Sequence, residues 1–82
     1  MNPTRILVVE DESIIALDIQ VQLRHMGYEV PAVAATGEEA IQLAATWRPD
    51  LILMDIRLQG DMDGITAAMQ IQASQDIPIV YL

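Results

Sequence analysis

Two clusters of acidic residues follow apolar runs, and chemistry is most plausible there. In LILMDIRLQGDMDG, residues 51–64, four apolar residues lead into Asp55, and Asp61 and Asp63 follow among glycines. A second run, ILVVEDE, ends in Glu10, Asp11 and Glu12. Carboxylates drawn together repel one another, so such a cluster either holds protons at unusually high pH or draws in a cation. Oxygen donors suit a hard divalent ion: Mg²⁺, or Mn²⁺ in its place, takes one or two carboxylates, waters and a phosphate oxygen. The chain has no cysteine, a single histidine and no glycine-rich phosphate loop. A phosphoryl group arriving at this site would therefore meet a carboxylate as its nucleophile and form an aspartyl phosphate. Asp55, at the end of an apolar run, is the best placed.

The elements that must position these acids are legible as apolar runs. Arg5–Val9, Asp50–Met54 and Ile77–Leu82 are continuous rather than alternating, which fits strands covered on both faces in a parallel sheet. A weaker run, Tyr28–Ala34, contains Pro31, whose missing amide places it at an edge. Between them lie helical patterns. From Glu12 to Met26, Ile15, Ile19, Leu23 and Met26 share one face, and Gly27 supplies the stop. Thr36-Gly37-Glu38-Glu39 has capping-box spacing and opens a second helix that ends before Arg48-Pro49. A third runs from about Gly64 to Ala73, with Asp63-Gly64 as its turn and start.

The order is βαβαβαβ, a doubly wound parallel α/β sheet in one domain with right-handed crossovers. Such sheets bind ligands outside the carboxyl ends of their strands, where Glu10, Asp11, Glu12 and Asp55 all fall. Asp11 alone would also suit a helix cap; Glu10 beside it and Asp55 on the neighbouring strand favour the metal.

With 52% hydrophobic residues and a net charge of -8, the chain has apolar material for one core and an acidic exterior. Four basic residues against twelve acidic ones exclude a nucleic-acid surface within these residues. The first apolar run is too short for a signal peptide, and no segment approaches the roughly 20 apolar residues that span a bilayer. A soluble, cytoplasmic protein is expected. His25 sits where a cation suits a helix end, Trp47 follows Ala40 and Ala44 at helical spacing, and the methionines read as core filler. Ile14, Leu17 and Val21 form a second apolar stripe on the first helix, well over 90° from the first at about 100° per residue. It needs a covering element.

These residues resemble the receiver domain of two-component response regulators, of the chemotaxis-regulator type. ILVVEDE looks like its first strand with paired acids, PDLILMDIRL like its phosphoacceptor strand, and MDGI and IPIVYL like the segments that follow; the likeness runs through all 82 residues. The resemblance implies a flavodoxin-like topology with strand order 2-1-3-4. It also implies that Asp55 accepts a phosphoryl group from a histidine kinase or phosphotransfer protein. Mg²⁺ or Mn²⁺ would be held by Asp11 and Asp55, by Glu10 through water, and by the backbone carbonyl of Arg57. Such a domain is a phosphoacceptor rather than an enzyme, though it can catalyse its own phosphorylation and dephosphorylation. The loop RLQGDMDG is one residue longer than the common receiver version, which would carry Asp61 toward the metal rim as a modulator.

Residues 1–82 correspond to the amino-terminal part of a single receiver domain, without its fourth helix, fifth strand and fifth helix, so phosphotransfer is expected to be impaired. The alternative is a receiver-derived dimerisation or interaction module without phosphotransfer. With IPIVYL as an apolar edge containing Val80, and the stripe of Ile14, Leu17 and Val21, a homodimer or larger assembly is expected. Phosphatases of the haloacid dehalogenase type also use an aspartate after an apolar strand. Their pattern needs a second aspartate two residues later, where this chain has Arg57.

Overall fold

The three continuous apolar runs and the Pro31-containing segment become four parallel strands. The structure, a computed structural model, describes residues 2–82. In chain order it comprises β1 (Ile6–Val9), α1 (Ser13–His25), β2 (Val33–Ala34), α2 (Gly37–Trp47), β3 (Leu51–Met54), α3 (Gly64–Ser74) and β4 (Ile79–Tyr81). The sheet order is β2-β1-β3-β4. Val9 stands opposite both Ala34 and Met54, and Leu53 stands opposite Val80. This is the doubly wound sheet expected from the apolar runs, in the strand order that the resemblance implied. Pro31 limits β2 to two residues, and Glu29 reaches β1 only through an isolated bridge to Arg5.

Alternate strand residues face opposite layers. Leu7, Val9, Ile52 and Met54 point into a core closed by Ala40 and Ala44 of α2 and Ala67, Ala68 and Ile71 of α3. The small side chains let both helices lie close to the sheet. Ile6, Val8 and Val30 face the other way, against Ile19 and Leu23 of α1. Among the described residues α1 alone covers that layer, so Leu51 and Leu53 remain half-buried and β3 alternates, unlike the fully buried β1.

Helix α1 is rotated from the face expected for it. Its buried residue is Ala16, with Ile19 and Leu23 packed beside it at i+3 and i+7, whereas Ile15 and Met26 are exposed. Ala16 is the buried residue of the helix, and with Ala16 inward Ile15, about 100° away around the helix, turns outward. The second stripe lies open: Ile14 is 82% exposed, with Leu17 and Val21 beside it. At the amino-terminal rim, Asp50 Oδ2 accepts from the Arg5 N–H at 2.8 Å, and the Arg5 guanidinium lies 5.6 Å from the Trp47 ring centre. Trp47 is thus partly exposed and at the end of the sheet opposite the acids.

Candidate functional site

The carboxyl ends of β1 and β3 are locked together, and this brings the acids into one place. The Asp55 N–H donates to the Val9 carbonyl at 2.9 Å, and the Glu10 N–H donates to the Ala34 carbonyl at 2.9 Å. Glu10 is therefore held between β2 and β3 and is only 7% exposed. Glu10, Asp11 and Asp55 each present a carboxylate oxygen within 4.8 Å of the other two. Among the described residues no other His, Cys, Asp or Glu trio comes this close. Burial first, then contact with the Asp55 carboxylate and the like charges of Asp11 and Glu12, push the Glu10 carboxyl up to about 7. A carboxylate resisting ionisation beside two others is what a hard divalent cation relieves, so these residues fit Mg²⁺.

The surrounding backbone is built around Asp55. Its Oδ1 accepts from the Arg57 N–H at 3.2 Å, which fixes the carboxylate's rotation and places the Arg57 peptide next to it. The Gly64 N–H donates to the Ile56 carbonyl at 2.8 Å, and any side chain on Gly64 would strike the Asp55 carbonyl. The motif DG marks a turn; the spatial need for glycine against Asp55 has no signature in it. Asp63 caps α3, its Oδ1 accepting from the Thr66 N–H at 2.8 Å, a bond that holds its carboxyl below the usual range. Asp11 is not a helix cap: Glu12 holds that position, and its side chain accepts no helix N–H.

Asp61 is exposed and stands outside the trio. The loop after β3 is drawn toward α2 instead: Gln59 pairs with Thr36, and Leu58 and Met62 pack against the core. Leu58 and Met62, apolar residues four apart on either side of Gln59, Gly60 and Asp61, were the available signal for this. An open groove of about 500 Å³ runs between α1 and the β2–α2 turn, past Leu17, Val33 and Glu39, and is lined at one end by Glu10 and Asp11, so these two carboxylates border solvent-accessible space; Asp55 does not line it.

A parallel sheet in the order β2-β1-β3-β4, with carboxylates at the ends of its two central strands, is also the arrangement for which comparison with known proteins finds a family. Residues 6–82 match the family described as the response regulator receiver domain, and the chain belongs to that family. The transcriptional regulatory protein PdtaR of Mycobacterium tuberculosis is 42% identical over 80 residues, covering 98% of this chain and 38% of that protein. The phyllosphere-induced regulator PhyR of Methylorubrum extorquens is 35% identical, covering 96% and 30%. The chain thus spans roughly a third of the length of these relatives. The crystal structure of PhyR from Brucella abortus superposes with a TM-score of 0.91 at 35% identity, over 98% of this chain and 33% of that one. The receiver domain of PhyR from Erythrobacter litoralis gives 0.90 at 32%, over 99% and 63%.

Proposed function

We propose that this chain is the phosphoacceptor unit of a cytoplasmic two-component pathway, with Asp55 taking a phosphoryl group from a histidine kinase or phosphotransfer protein. The observation that carries the reading is the meeting of Glu10, Asp11 and Asp55 within 4.8 Å at the carboxyl rim of the sheet. Asp11 and Asp55 would hold Mg²⁺, with Glu10 acting through water and Arg57 through its carbonyl. The ion would supply positive charge against the phosphoryl oxygens.

The chain's own part is alignment, which phosphoryl transfer chiefly requires. Arg57 N–H holds Asp55 Oδ1, leaving the other oxygen to attack phosphorus. An oxygen–phosphorus bond forms, the phosphorus–nitrogen bond to the donor histidine breaks, and its electron pair returns to the imidazole. The chain acts as the acceptor in this step rather than as an enzyme on a separate substrate.

Treatment with a small acyl phosphate and Mg²⁺, followed by intact-mass measurement, tests the assignment. A phosphoryl adduct is expected on the wild-type chain and not on Asp55→Ala; an undiminished adduct in the variant overturns it. Cation affinity should be read by calorimetry, because Trp47 lies at the far rim. Asp11→Asn is expected to weaken Mg²⁺ binding by at least about tenfold, one charge being worth more than an outer-shell contact.

A further inference from the structure

The loop of residues 56–62 is fastened not only at its ends but also in its middle, to the amino terminus of α2. Gln59 forms a parallel bridge with Thr36. On either side of it, Leu58 and Met62 pack on the core, and Gly60 turns the chain between them at φ +92°. Met62 lies directly across Gly37, the first residue of α2: a Cβ on Gly37 would stand 2.8 Å from both Cγ and Sδ of Met62 and 3.1 Å from its Cβ. Gly37 has no positive φ, and alanine is the better helix former. What the missing side chain provides is room for Met62. The anchor is itself stiff, since Thr36 Oγ1 accepts from the Glu39 N–H at 3.1 Å and Glu39 Oε1 accepts from the Ala35 N–H at 2.8 Å. From Gln59 the chain runs back two residues to Arg57, whose N–H holds Asp55.

We propose that Gly37 and Met62 are positioning residues for the cation site. Their contact fixes the loop so that the Arg57 peptide is presented to Asp55 and to the divalent ion before the ion arrives. The inference rests on the cation reading of Glu10, Asp11 and Asp55 given above. A loop already held adds no ordering penalty to binding, whereas a loop pushed away by a methyl group on Gly37 must be reordered by the ion.

The test compares wild type, Gly37→Ala, Met62→Ala and the double variant by Mg²⁺ calorimetry and by amide hydrogen exchange at Gln59–Asp61. Gly37→Ala is expected to weaken Mg²⁺ binding about tenfold, the low end of what disturbing outer-shell support does, and to speed exchange at Gln59–Asp61 even without metal. Met62→Ala should act in the same direction. In the double variant Cγ and Sδ are gone and only the 3.1 Å approach of the two Cβ atoms remains, so its loss should lie close to that of Met62→Ala and below the sum of the two. Gly27→Ala is the control: at φ +94° it strains the end of α1, so it should lower thermal stability and leave both readouts unchanged. If Gly37→Ala does not fold, Met62→Ala decides. Wild-type Mg²⁺ affinity in the folded variants overturns this inference alone. No Mg²⁺ binding by the wild-type chain overturns the cation reading and this inference with it.

Discussion

Glu10 makes the candidate site sensitive to pH. Its carboxyl ionises near 7 in the folded chain against 4.5 as a free side chain, so without metal the folded state prefers Glu10 protonated. The sign follows from linkage: this preference has no effect below about 4.5, and stability is lost as pH rises from there through about 7. On the proposed reading, a divalent cation would replace the proton. The rise in melting temperature on adding Mg²⁺ should therefore be small at pH 5 and reach its full size by about pH 8. Glu10→Gln should flatten the metal-free stability profile between these values; a metal-free profile that already rises toward pH 8 would contradict the assignment. The acid is plain in ILVVEDE, but its burial is not. That comes from Ala34 and Asp55, 24 and 45 positions away in the chain, whose strands flank it.

At the scale of elements, the helix starts that use local contacts were legible and the facing of a helix was not. Thr36 with Glu39, and Asp63 with Thr66, are bonds across three residues, so spacing alone specifies them. Thr36→Ala should destabilise the fold by about 1 kcal/mol. Gly64→Ala should cost roughly 1–3 kcal/mol, because α3 must retreat from the Asp55 carbonyl it now touches. Urea unfolding measures both, and Gly64→Ala should also lower Asp55 phosphorylation; unchanged phosphorylation in a folded Gly64→Ala variant would show that Gly64 matters only as a helix start. The rotation of α1 onto Ala16 escaped the periodicity because Ile14, Ile15, Leu17 and Ile19 offer two apolar faces. Packing of Ile19 and Leu23 against Ile6, Val8 and Val30 selects between them.

For the whole molecule, the sheet has one well-covered layer and one that α1 covers alone. Leu51, Leu53 and Val80 lie on the α1 side, Ile14, Leu17 and Val21 are exposed on the helix, and the outer edge of β4 faces no strand among the described residues. Burying the three helix residues would contribute roughly 4–6 kcal/mol before association entropy is subtracted, while a net charge of -8 opposes contact between copies until salt screens it. A polypeptide of these 82 residues should therefore self-associate with rising concentration in light scattering, more strongly at higher salt, and Leu17→Glu should weaken it. A salt-independent monomer across the dilution series would show that these surfaces do not attract one another. The amino-acid sequence by itself determined the order of elements, the parallel sheet, the capping box at Thr36, the helix start at Asp63-Gly64 and the placing of acids at strand ends, because each is written in local spacing and in runs of apolar residues. Only the tertiary structure decided that Glu10 is buried, that α1 turns on Ala16, and that the loop after Asp55 is tied to α2 through Thr36, Gly37 and Met62. Those outcomes depend on which distant side chains meet when three helices compete for two faces of one sheet.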